Sequence, residues 1–233
     1  MNWLLNNYES IPFYLFTHLR LSILPIAIGF VLALPLGWLA WRFQVTRGLL
    51  LTLVGLLYTI PSLALFALLP PLLGLPYLSE ANVEIALTIY AVALMARSAA
   101  DAFGSVDPGV RQSAVAMGYG TWRRIWEVEL PLAGPVLLAG LRVVAVSTVA
   151  LVTVGVLVGV QSLGFYFTDG SQRQIPFEVF TGVVLTMLLA LAIDGLLVLL
   201  GRALMPWARP SKRRPMNRWI RALGTGKVAE AVR

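Results

Sequence analysis

The sequence predicts an all-α membrane protein with about five transmembrane helices. Three observations carry that prediction. Of its 233 residues, 58% are hydrophobic and only 12% charged, far more apolar than a water-soluble domain. The apolar residues gather into five segments long enough for a bilayer core, which takes roughly 20 residues. The arginines and lysines crowd into alternate connections between those segments, as they do on the cytoplasmic side of a membrane.

The segments follow in order. Residues 1–18 mix Trp3, Leu4, Tyr8, Ile11, Phe13 and Tyr14 with Asn and Glu9. They lack the basic start and small-residue cleavage site of a signal peptide, so an amphipathic segment on the outer interface is expected. The spans are read as 19–41, 49–73, 83–100, 135–160 and 177–204, together the permease-like body 19–204. Pro25, Pro35 and Pro61 lie inside spans, where neighbouring helices can re-satisfy the freed backbone. The third span is short and ends in Arg97 and Asp101, which at i, i+4 should neutralise each other. The stretch 147–167 is apolar enough to leave a sixth, re-entrant segment open.

Orientation follows from charge. Arg42 and Arg47 flank the first connection, Arg111, Arg123 and Arg124 lie in a long central loop, and the tail 205–233 is strongly basic. The opposite faces carry Arg20 and Arg173 beside Glu80, Glu84 and Asp169. One arrangement satisfies these placements: N-terminus outside, five spans, C-terminus in the cytoplasm. The tail interleaves its basic residues with Trp207, Trp219, Ile220 and Leu223. Directly after a span, this composition fits anionic lipid, at about 1 kcal/mol per basic residue, and argues against nucleic acid.

Several chemistries are excluded. With no cysteine there is no disulfide framework or thiol chemistry. One histidine and no clustered acids leave no metal-site spacing. No P-loop or GxGxxG follows a strand-like run, so no cofactor and no ATPase site are expected in this chain.

The segment 107–131, DPGVRQSAVAMGYGTWRRIWEVELP, is polar and basic between strongly apolar neighbours. Asp107 before Pro108 reads as an N-cap with proline at the first helical position. Gly118 and Gly120 interrupt the helix. Thr121 is placed to cap a second short helix, 122–129, which Pro131 should close. Trp122, Ile125 and Trp126 recur at helical spacing and can share one face. That face either enters a cleft on a partner or packs against the chain's own helix ends.

This segment resembles the "EAA" loop of ATP-binding-cassette (ABC) importer permeases: Glu-Ala-Ala, three residues, Gly, nine residues, Ile, one residue, Leu-Pro. The matching positions are Gln112, Ser113, Ala114, Gly118, Val128, Leu130 and Pro131; Gln112, Ser113 and Val128 depart from the pattern. The runs at 60–75, 84–118 and 128–142 look like permeases for the osmoprotectants glycine betaine, carnitine, choline and proline. The resemblance implies a type I importer fold in a prokaryotic cell membrane. It also implies a second permease subunit, two ATPases that bind ATP and magnesium, and a separate external substrate-binding protein. Gln112, Ser113, Ala114, Gly118, Tyr119, Thr121, Trp122, Arg123, Leu130 and Pro131 would then couple to the ATPase. The missing carboxylate at Gln112 removes one salt bridge to it and favours a permease heterodimer. Methionine permeases carry similar loops and are the nearest alternative. A secondary transporter would need more intramembrane acids than Asp194, and internal repeats.

Two charges lie inside spans, Arg142 in the fourth and Asp194 in the fifth, about two turns from the cytoplasmic ends, so they can pair. Ser147, Thr148 and Thr153 can line a pore or back-bond to their own helix. No compact aromatic cage for a quaternary amine is visible, which places solute specificity in the binding protein.

Overall fold

Four long helices and one broken helix pair build the protein, described by a computed structural model over residues 7–208. After a 3₁₀ turn at Tyr8–Ser10, α1 runs Ile11–Arg42, with Pro12 in its first turn, where a missing N–H costs nothing. The helix continues through Pro25 and Pro35. Residues 11–18 are therefore helical and continuous with the rest of α1. Ile11, Tyr14, Leu15 and Leu19 pack against the core around Val149, Leu163 and Tyr166, a helical stripe that the flanking Asn and Glu obscure in sequence. Residues 1–6 lie outside the described residues, as does the basic tail beyond Ala208.

The expected second span is two helices, α2 at Gln44–Thr59 and α3 at Ser62–Leu73, bent by 102°. At about 24 Å and 18 Å, neither crosses a bilayer core alone. The break falls at Ile60–Pro61 because Pro61 has no N–H and holds Ile60 extended, at φ −65° and ψ 127°. The carbonyl of Ile60 accepts a hydrogen bond from the Tyr90 hydroxyl, and Asn82 Nδ2 donates to Phe66 O at 2.9 Å. Both ties anchor the broken pair to the next helix.

That helix, α4, runs Glu80–Gly104, capped by Ser79 Oγ, which accepts from the Asn82 amide. It is the most enclosed of the spans and packs most extensively against α1. The two backbones approach closely because small residues meet. A Cβ on Gly29 would stand 2.5 Å from Ala91 Cβ, and one on Gly37 2.3 Å from Ala99 Cβ and 2.8 Å from the Ala100 amide. Such contacts replace the hydrophobic drive that lipid removes. Gly37→Leu should therefore cost at least ~1–3 kcal/mol, read as a lower melting temperature of the purified protein. Gly55→Leu, whose Cβ meets nothing within 4 Å, should melt like the wild type; equal melting of both variants would contradict the packing argument.

Asp101 does not pair with Arg97. It reaches Arg47 at 3.4 Å, on the N-terminal turn of α2. After α4 comes α5, Pro108–Ala116. The helical run Thr121–Val158 then holds α6 at Thr121–Arg124, a π-helical stretch at Ile125–Glu129, and α7 at Leu130–Val152. The stretch considered for a sixth segment divides among the end of α7, a 3₁₀ turn at Thr153–Val158 and the start of α8, Phe165–Gln172. Eight residues cannot span. The last span, α9, is Pro176–Leu204, followed by a 3₁₀ turn at Pro206–Ala208.

Candidate functional site

The loop between α4 and α7 is ordered by its own backbone chemistry. Asp107 Oδ1 accepts from the Gly109 amide at 2.6 Å, satisfying one of the unpaired N–H groups at the start of α5. At the other end, Gly118 takes φ +84°. Its amide bonds Val115 O at 2.9 Å, and the Tyr119 amide bonds Ala114 O at 3.0 Å. This is a Schellman ending, which requires a left-handed residue at the position Gly118 holds. Ala114 is buried beneath the turn, while Gln112 and Ser113 are exposed.

Gly120, not Thr121, occupies the N-cap of α6, and no side chain caps that end. Thr121 is exposed. Nor does Pro131 close the unit. It sits in the first turn of α7, and the helix passes through it. The π-helical stretch makes this possible: the Leu130 amide bonds Ile125 O, five residues back, so the register has already widened where the proline ring enters. The helix after the Gly118 turn is thus continuous with a span.

Arg123 lies over the Tyr119 ring at 4.8 Å and pairs with Glu127 at 2.9 Å, both on the outer surface. Trp122 is 75% exposed and Trp126 60%, whereas Ile125 is buried. The three line an apolar groove of about 400 Å³ with Val31, Leu34, Trp38 and Leu130.

Beneath the loop lies a charge cluster that sequence reasoning missed. Glu129, with 0% side-chain exposure, accepts from Arg124 Nε at 2.7 Å and lies 3.7 Å from Arg111 Nε. The Arg111 guanidinium covers the Trp41 ring at 4.1 Å and donates to Phe103 O. Burial pulls the Arg111 pKa down, and the Glu129 charge pulls it up. One carboxylate therefore joins α5 and α6 to the ends of α1 and α4. The only sequence signal is an acid next to Leu-Pro in an arginine-rich loop.

Arg142 and Asp194 meet, as their depths suggest. Nε donates to Oδ1 at 2.6 Å and Nη2 to Oδ2 at 2.7 Å, the fork geometry of the strongest ion pairs, joining α7 to α9. If the pair is structural, Arg142→Ala and Asp194→Ala should each lower thermal stability, and the double variant should recover part of the loss. Additive losses would show no coupling; full stability with lost transport would place the residue in the transport path. Thr148 is buried, Ser147 half-buried, and Thr153 Oγ1 donates to Ala150 O at 2.6 Å. The structure also gathers Tyr14, Phe165 and Tyr166. Tyr14 stacks on Phe165 at 5.0 Å and meets Tyr166 edge-on at 5.1 Å, so these rings tie α1 to α8.

The chain combines several apolar helices long enough to cross a membrane with an ordered polar loop continuous with one of them. The chain belongs to the family of binding-protein-dependent transport system inner membrane components, which matches residues 26–206. It is 30% identical, over 81% of its length and 86% of the relative's, to the glycine betaine/carnitine/choline transport system permease protein OpuCB of Bacillus subtilis. It is 29% identical, over 84% and 93% of the two chains, to the osmoprotectant import permease protein OsmW of Salmonella typhimurium. Its fold is that of a chain from inward-facing conformations of the MetNI methionine ABC transporter, with a TM-score of 0.76, 20% identity, and coverage of 85% of this chain and 98% of that one.

Proposed function

We propose that this chain forms the membrane path for a compatible solute such as glycine betaine, choline, carnitine or proline, in an importer powered by separate ATPase subunits. The observation that carries the coupling role is the Gly118 turn, exposed at its tip and fixed at its base to α1, α4 and α7 through Arg111, Arg124 and Glu129. ATP and magnesium bind the partner ATPase, and this chain carries out no chemistry of its own. A second permease subunit completes the path, and an external binding protein delivers the solute. Similarity to osmoprotectant permeases supports the solute class.

The test is co-purification of an ATPase with this chain, followed by ATP-driven uptake of labelled glycine betaine, choline, carnitine and proline, with methionine as the competing solute. Methionine uptake alone would replace the solute class; no uptake and no bound ATPase would overturn the function. The expected orientation puts both termini and their connections on opposite sides. In this cysteine-free chain, an impermeant maleimide should label Tyr77→Cys but not Met117→Cys in intact cells, both sites being well exposed. Equal or reversed labelling would refute that orientation.

A further inference from the structure

The spans expose two kinds of surface. On α9, Leu188, Leu191, Leu196 and Leu199 are exposed, a face suited to lipid. Among the described residues α4 exposes no large apolar side chain. Its exposed positions are Glu80, Ala81, Arg97, Asp101 and Gly104. Arg97 is the one well inside the helix. It has no ion-pair or hydrogen-bond partner among the described residues, because Asp101, the acid at i+4, pairs with Arg47 instead.

Arg97 lies four residues deeper than that pair, about 6 Å further from the helix end. Its Cβ leans toward the N-terminus of α4, deeper into the span and away from the nearer membrane surface. An unpaired arginine here cannot face lipid cheaply, and intramembrane charges of this kind line cavities or pathways. The face is reachable. Arg97 and Asp101 share one side of α4, the side on which Arg47 of α2 lies, and no described side chain of α2 is buried.

We propose that Arg97 stands in the translocation path and binds the carboxylate of a zwitterionic solute, a step that rests on the solute class above. A guanidinium offers a planar pair of donors that matches a carboxylate. The same charge disfavours a solute that is only cationic, so glycine betaine or carnitine is the occupant and choline is the poorer one.

The test uses the complete importer with its ATPase and binding protein. Arg97→Cys creates a single thiol. Glycine betaine uptake should fall at least about ten-fold, the worth of one charge-assisted contact. Modification with 2-aminoethyl methanethiosulfonate, which restores a positive charge, should recover a good part of the uptake; the 2-sulfonatoethyl reagent should not. Arg97→Lys should transport and Arg97→Gln should not, which guards against a cysteine variant that fails to assemble. Unchanged uptake in Arg97→Cys, no reaction with either charged reagent, or equal uptake in the lysine and glutamine variants would overturn the proposal. Failure of the wild type to move any of glycine betaine, choline, carnitine and proline would instead overturn the solute reading, and this inference with it; uptake of choline alone would overturn this inference only.

Discussion

Gly118→Val should abolish ATP-driven uptake while leaving the protein folded in the membrane. Gly118 has φ +84°, and a Cβ placed there meets nothing within 4 Å. No packing is lost, so the cost is conformational. A left-handed residue with a Cβ costs roughly 1–2 kcal/mol, and a β-branched one is a clear outlier. The spans are held elsewhere, by Gly29 and Gly37 against α4 and by Arg142 against Asp194, so the chain survives that cost. The turn does not. Valine favours negative φ, which unwinds the bonds from Gly118 to Val115 and from Tyr119 to Ala114. The helix pair then loses the angle at which its tip meets a partner. Asparagine tolerates the left-handed region, so Gly118→Asn should keep a substantial share of uptake. Steady-state uptake at matched expression measures this. Wild-type transport in Gly118→Val, or equal loss in both variants, would remove the turn from the coupling path.

Much of this site was legible before the structure. The glycine spacing in MGYG marks a turn because glycine takes positive φ at the least cost, and Asp-Pro marks a helix start for equally local reasons. The long apolar runs gave the spans, and counting turns from their ends put Arg142 and Asp194 at matching depth. What was illegible depends on contacts far apart in sequence or on a backbone choice with two solutions. Pro61 and Pro131 look alike in a hydropathy trace, yet one breaks its helix by 102° and the other is absorbed. The difference lies in the turn before each. Ile60 becomes extended and gives its carbonyl to Tyr90, thirty residues on, whereas the five residues before Leu130 adopt π spacing. Arg97 and Asp101 satisfy the i, i+4 rule, but that rule is worth only about 0.2–0.5 kcal/mol. Arg47, on the first turn of α2, takes Asp101 instead.

Glu129→Ala should be the most damaging single change in the loop. Glu129 is fully buried and is the counter-charge for both Arg124 and Arg111. Arginine does not give up its proton under ordinary conditions, so removing the carboxylate leaves two cations in one half-buried site. Breaking a buried pair from one side costs about 3–5 kcal/mol. For a chain of this length, that corresponds to a fall in melting temperature of roughly 10 °C. Glu129→Gln keeps the volume and one acceptor but loses the charge, and should fall nearly as far. A triple change, Glu129→Leu with Arg124→Leu and Arg111→Met, removes every charge at once and should restore much of the stability, since well-packed apolar replacements are often neutral or better. Uptake separates the two roles of the cluster. If the charges fix the loop to the spans, the triple variant should be stable yet couple poorly, because the bond from Arg111 to Phe103 O and its cover on Trp41 are gone. A triple variant that is stable and transports normally would show that packing alone carries the force. Glu129→Ala with an unchanged melting temperature would show that the cluster holds nothing together.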